Sequence, residues 1–268
     1  SLKTAVSDLE VIRQEKDGLL WHIKYPIEGS EDFITVATTR PETMFGDMAI
    51  AINPEDNRYN HLIGKNIILP FVGRKIPVIG DSYVDMEFGT GCLKITPGHD
   101  FNDYEIGKKY SLYEVDGQVK SSDVDSDFEP INIFDDDAWT NNNVPAPFNN
   151  LERFKVRKLV VEKLTELSLL EKEEKHHISV PRGERSNVVI EPKLSHQWYV
   201  KTSEMAARAN EAVNNGEVKF HPQNWDKTYF NWMNNIQDWC ISRQIWWGHR
   251  IPAWYDAEEN VYVGHSEE

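Results

Sequence analysis

Apolar residues in this chain recur first at strand spacing and later at helical spacing. Leu9-Glu10-Val11-Ile12 and Leu19-Leu20-Trp21-His22-Ile23-Lys24-Tyr25 read as strands, and Asp17-Gly18 between them signals a hairpin. Phe33–Thr38 alternates with β-branched residues, and 48–52 is a short apolar run closed by Asn53-Pro54, together a second hairpin-like set. Residues 66–69, 75–79 and 92–96 follow as short strands at roughly ten-residue spacing, which suits a barrel or a sandwich. Residues 151–171 form the clearest helix. Leu151, Phe154, Leu159, Val160, Leu164 and Leu167 recur near helical spacing, while Arg153, Lys155, Arg157, Lys158 and Lys163 lie largely elsewhere, as a solvated face would. A second helix is predicted from an N-cap at Thr202 or Ser203 to Gly216.

Between these elements, 116–150 changes character. Asp123, Asp125, Asp127, Glu129 and Asp135 to Asp137 are acidic, and 141–147 is turn chemistry, so a solvated surface loop is expected. Near the end, Trp225, Trp232, Trp239, Trp246, Trp247 and Trp254 crowd into a short stretch, and so many large aromatics are expected to pack against the core or a neighbouring molecule, or else to mark a bare docking surface. No internal repeat is visible. The pattern predicts an α+β domain: a twisted, barrel-like mixed sheet with peripheral helices.

Composition narrows the function classes. The chain has 268 residues, 40% hydrophobic and 11% aromatic, enough for a large domain with a real core. No apolar run approaches the roughly 18 residues needed to span a bilayer, and residues 1–25 hold no signal-peptide core, so no membrane partner is expected. The chain does not start with Met, so a piece of a longer protein is expected. Cys92 and Cys240 are isolated, which gives no metal site and fits a reducing cytosol. The net charge of −15 speaks against phosphate-backbone binding unless a local basic patch exists. The acidic loop accounts for a good part of that charge, which weakens the objection.

Two segments carry candidate chemistry. Thr38-Thr39-Arg40-Pro41-Glu42-Thr43 directly follows a strand and sets three hydroxyls beside a guanidinium suited to phosphate or carboxylate. Taken alone, it also reads as a polar strand end. The second runs from Phe88 through Gly89-Thr90-Gly91 and Lys94-Ile95-Thr96 to His99, Asp100 and Asp103. Its glycines permit sharp turns or close approach of a ligand. Lys94 and Thr96 lie two apart on a strand and point to one face, with His99, Asp100 and Asp103 on the turn just beyond. A ligand site and a plain salt-bridged turn both fit that cluster. There is no G-x-G-x-x-G, P-loop or G-x-S-x-G signature. His176-His177 reads as a surface pair, and Cys92 as a packed small residue.

Thr35 to Thr43, and Gly89-Thr90-Gly91 through Asp103-Tyr104-Glu105, resemble the threonine-rich and glycine-threonine-glycine peptides of valyl-tRNA synthetase editing domains. The likeness extends to Asn53-Pro54-Glu55-Asp56, Val84-Asp85-Met86-Glu87, Leu151-Glu152-Arg153-Phe154, Gln197-Trp198-Tyr199-Val200 and the stretch from Asp238 to Tyr255. Isoleucyl and leucyl relatives carry Trp where Arg40-Pro41-Glu42 stands, so the resemblance points to the valyl branch. The H-I-G-H and K-M-S-K-S signatures of the synthetic site are missing, so aminoacylation is not expected. Cysteine pairs that hold zinc in some relatives have no counterpart near 180–192.

The resemblance implies hydrolysis of threonine misattached to valine-accepting tRNA. Asp103 would bind the α-ammonium, and Lys94, Thr96 and Asp100 would surround the threonine hydroxyl and the attacking water. Arg40 and Phe88 would hold the terminal adenosine, the latter by stacking, and Thr38, Thr39, Glu42, Gly89, Gly91 and His99 would complete the pocket. No side chain stands out as general base. No cofactor is implied, neither zinc nor ATP. The implied partners are the acceptor end of the tRNA and the aminoacylating domain of a parent synthetase. The module would span 1–224, with a stalk at 1–15 and a connector at 225–268, monomeric and cytoplasmic. A tRNA-binding module without catalysis of its own is the alternative.

Overall fold

The computed structural model describes residues 3–7, 10–124 and 127–266. The chain forms two compact units. The larger holds Arg13–Arg182 and Asn187–Leu194; the smaller holds Leu2–Ile12, Gly183–Ser186 and Ser195–Glu268.

The larger unit contains strand β1 (Val11–Pro26) from Arg13 onward, then β2 (Phe33–Thr38), β3 (Ala49–Ile52), β4 (Asn66–Ile68), β5 (Lys75–Gly80) and β6 (Cys92–Ile95), and helix α1 (Phe101–Lys109). Strands β7 (Tyr113–Val115) and β8 (Gln118–Lys120), helix α2 (Arg153–Glu166) and strand β9 (Leu170–Gly183) complete it. β2, β1 and β9 make one sheet, and β6-β3-β5-β8-β7 make a second, with β4 on β5. This second sheet is mixed: β3 and β5 run parallel, β3 and β6 antiparallel. The fold is α+β as expected, but the barrel-like closure is not observed. Among the described residues the strands pair in open sheets, since the first and last strands of each sheet do not pair with one another.

Position explains composition in β3. It runs between β5 and β6, and all four of its residues are fully buried. A strand covered on both faces must be apolar throughout, and burial of Ile50 and Ile52 contributes about 1.5–3 kcal/mol each.

Several local expectations are corrected. Asp17-Gly18 does not turn, because β1 continues unbroken through it and pairs with β9. A Cβ on Gly18 would sit 2.5 Å from the Ile178 side chain, so this glycine serves close strand packing. Leu9 and Asp125 lie outside the described residues. β2 and β3 do not form a hairpin either; a 3-10 turn at Pro41–Gly46 sends them into different sheets. The predicted helix at 151–171 starts at Arg153 and stops at Glu166, where β9 soon takes over. The acidic stretch is not simply solvated. Ile133, Phe134, Val144 and Phe148 are buried in the core, so its carboxylates face water while its apolar residues pack.

In the smaller unit, β10 (Tyr199–Val200) pairs with β11 (Trp239–Cys240), and β12 (Ala253–Tyr255) with β13 (Val261–Val263). Helices α3 (Ser203–Asn214) and α4 (Trp225–Met233) lie between. Thr202 makes no side-chain cap; its hydroxyl donates to the Gln237 carbonyl instead. Arg243 pairs with Glu10, and Ala5 N–H donates to Gln244, which ties the N-terminal residues to this unit. Within the smaller unit the tryptophans of the aromatic segment are mostly uncovered. Trp225, Trp232 and Trp239 are exposed, and Trp246 and Trp247 are almost fully so. No described helix is long and apolar enough to cross a membrane.

Candidate active site

A cavity of about 470 Å³ opens in the larger unit where β2, the 3-10 turn, β6 and α1 meet. Most of the residues singled out from the sequence line it: Thr38, Thr39, Arg40, Phe88, Gly91, Lys94, Thr96, His99, Asp100 and Asp103. Glu42 and Gly89 do not. Glu42 is fully buried, with both oxygens taken by Arg157 and one also facing Arg40. Gly89, at φ +59°, belongs to the exposed loop that carries Phe88.

Lys94 and Thr96 share a face as their spacing requires. β6 pairs with β3 at Ile50↔Lys94, which brings the ammonium over a buried carboxylate that the sequence did not reveal. Lys94 Nζ donates to Asp47 Oδ1 (2.8 Å), to Thr43 Oγ1 (3.0 Å) and to Thr96 Oγ1. Thr96 Oγ1 donates to the same Asp47 oxygen (2.6 Å), and Tyr25 donates to the other (2.7 Å). Thr43 in turn donates to the Arg40 carbonyl. All three ammonium protons are therefore engaged inside the protein.

The turn after β6 fixes the acids. Asp100 is the N-cap of α1, its carboxylate accepting from the Asn102 and Asp103 N–H groups. Asp103, in the first turn of α1, accepts the Thr96 N–H at 2.8 Å. Burial, reinforced by the Asp100 charge, pushes the Asp103 carboxyl up to about 7, so at neutral pH it is poised between its two forms.

His99 has another task. Its Nε2 accepts the Ile133 N–H at 3.0 Å, which leaves the ring proton on Nδ1, 3.3 Å from the Pro192 carbonyl. Burial, then the Arg40 charge, lowers its pKa to about 3. A neutral imidazole whose lone pair is already used is no general base. It pins the 131–134 loop beneath the cavity.

Phe88 is 58% exposed on the cavity wall, edge-on to His176 at 5.8 Å. Its loop depends on Gly91, at φ +78°, where a Cβ would lie 2.5 Å from Arg58 Nη2. Arg58 holds this loop by donating to the Met86 carbonyl. Sequence reasoning also missed Thr43, Tyr83 and Asp85 as lining residues. Thr43 lies within the threonine-rich peptide and Asp85 within the family-like peptide at 84–87, while Tyr83 carries no signal.

The family model for class I tRNA synthetases (I, L, M and V) matches residues 1–268. The chain belongs to the class I tRNA synthetase family. Within that family it is 54% identical, over 99% of its length, to valine–tRNA ligases of Legionella pneumophila and Francisella tularensis. It is 53% identical to that of Coxiella burnetii, over 100%. It spans 27% of the length of each of these relatives. A solved LeuRS–tRNA–LeuAMS ternary complex from Agrobacterium radiobacter aligns over 94% of the chain and 24% of its own, with 16% identity and a TM-score of 0.42. That likeness is too slight to bear on function.

Proposed function

We propose that the cavity is an editing site that hydrolyses the ester between threonine and valine-accepting tRNA. The observation that carries this reading is the Lys94–Thr43–Thr96 floor of the cavity, held by the fully buried Asp47, with Asp100 and Asp103 on its wall. Threonine differs from valine by a hydroxyl in place of a methyl. An apolar synthetic pocket rejects that swap only about a hundredfold, and the handling of threonine by valyl enzymes is the standard illustration. A polar floor inverts the preference, because valine leaves its groups unpaired.

In this reading Asp103 receives the α-ammonium, whose charge favours the ionised carboxylate. Water attacks the ester carbonyl carbon, a tetrahedral intermediate forms, and the ribose oxygen leaves with a proton. An aminoacyl ester is already activated, so positioning and electrostatic stabilisation suffice without a covalent nucleophile. The editing module is then 1–224, with its cavity in the larger unit, and 225–268 leads back toward the aminoacylating domain of the parent enzyme.

The test is deacylation of threonyl-tRNA and valyl-tRNA, both on the valine-accepting tRNA, by the chain and by Asp103→Ala. The expected result is faster loss of the threonyl ester, abolished in the variant. Hydrolysis no faster than the spontaneous rate at tens of micromolar protein would overturn autonomous catalysis and leave the tRNA-binding alternative.

A further inference from the structure

Arg40 is the centre of a chain of alternating charges. Its guanidinium bonds to Glu191 through Nη2, to Glu42 through Nε (3.4 Å) and to the His99 carbonyl through Nη1 (3.0 Å). Glu191 reaches on to Arg153 (2.9 Å), and Glu42 to Arg157 (2.6 and 2.7 Å). Three guanidiniums face two carboxylates, so one positive charge is in excess. Of the five residues only Arg40 lines the cavity. Three of its five N–H groups are used, which leaves two for a ligand. Burial lowers its pKa, and Glu191 and Glu42 more than reverse that, so it stays charged.

Glu191 is the informative member. It sits far along the sequence, just before Leu194, where the larger unit ends. It bridges two arginines from separate parts of that unit, with its carboxylate only 13% exposed. An arginine on a cavity wall otherwise samples many rotamers, and fixing one of them removes that entropy from binding.

We propose that Glu191 is a positioning residue that holds Arg40 so that its free N–H groups and the surplus charge meet the phosphodiester of the 3′-terminal nucleotide of an RNA. This rests on the editing reading for its ligand, and it predicts binding whether or not hydrolysis occurs. Glu42 and Arg157 brace Arg40 from beneath, and Arg153 braces Glu191.

The experiment uses the full chain and an RNA hairpin with a single-stranded, uncharged CCA 3′ end, with affinity read by fluorescence anisotropy. Arg40→Ala and Glu191→Ala are each expected to weaken binding about tenfold, the equivalent of one charge-assisted hydrogen bond. The double variant should bind no more weakly than Arg40→Ala, because Glu191 acts only through Arg40. Glu191→Gln retains an acceptor for Arg40 and should lose less than Glu191→Ala; it also gives the reading if the alanine variant fails to fold. Tighter binding by Glu191→Ala would mean that the carboxylate competes with phosphate, and would overturn the proposal. Losses that simply add in the double variant would also overturn it, as would no binding by the unsubstituted chain. The expected binding pattern without deacylation would instead refute only the catalytic reading.

Discussion

Asp47→Asn removes the counter-ion of Lys94 while nearly conserving shape. Both side chains are buried, Asp47 completely, and the carboxylate accepts from Lys94, Thr96 and Tyr25 at 2.6–2.8 Å. Deleting one partner of a buried ion pair costs about 3–5 kcal/mol, because the other charge remains without compensation. That loss is a large share of a typical domain's stability of about 5–15 kcal/mol. The exposed tryptophans of the smaller unit would dominate fluorescence, so the assay is amide hydrogen exchange in β3 and β6. Adding Lys94→Met removes the stranded charge and should recover most of the loss. A loss under about 1 kcal/mol, or no recovery in the double variant, would refute the buried-pair account.

Two further outcomes follow from single positions. The folded state raises the Asp103 carboxyl from 3.8 to about 7, chiefly by burial. The folded chain thus holds this proton more tightly than the unfolded one; the resulting stability is complete below about 3.8 and is lost as pH rises through about 7. Three units correspond to an upper bound of about 4 kcal/mol. Asp103→Asn should therefore gain on the parent chain between pH 4 and pH 7 in equilibrium unfolding, and a constant difference across that window would contradict the shift. Gly91→Ala places a Cβ 2.5 Å from Arg58 Nη2 and 3.0 Å from the Met86 carbonyl, at φ +78°. Strain of about 1–3 kcal/mol is expected, seen as a lower melting temperature and faster exchange in the Phe88 loop; an unchanged melting point would show that the loop is not held by this contact.

What the sequence revealed was local, and what it hid was long-range. Lys94 and Thr96 face one way because strands alternate, a rule that needs only neighbours in the chain, whereas the sequence places Asp100 on a turn and gives no sign of the helix it caps. Asp47 lies next to an apolar run and looks like a polar strand boundary, yet its partners Tyr25, Lys94 and Thr96 arrive on other elements. Glu191 is hidden in the same way, since only folding brings it to Arg40 and Arg153. Asp17-Gly18 misled because a hairpin signature says nothing about the strand waiting on the other side. In β1 the pairing with β9 overrides the turn, and Gly18 is spent on room for Ile178. In 116–150 the acidic density masks five buried apolar residues, Val119, Ile133, Phe134, Val144 and Phe148, spread too widely to show a period.

The saturation of Lys94 changes what selectivity the proposed site can have. With all three N–H groups committed, the ammonium cannot be the donor that reads a threonine hydroxyl unless it breaks an internal bond. Thr43 and Thr96 are different. Each accepts one bond from Lys94 and donates its proton elsewhere, to the Arg40 carbonyl and to Asp47 respectively. Each hydroxyl oxygen thus keeps one unused lone pair, and both residues line the cavity, where water or a substrate O–H can meet it. Threonine's hydroxyl replaces that water's bond, whereas valine's methyl displaces the water and returns nothing. Leaving one such buried acceptor unpaired costs about 1–3 kcal/mol, roughly 10- to 200-fold in rate. In the proposed editing reaction Lys94 would act mainly by orienting the two threonine hydroxyls, and Asp47 by orienting Lys94, so that a preference for threonine would be set by two oxygens that never carry a charge.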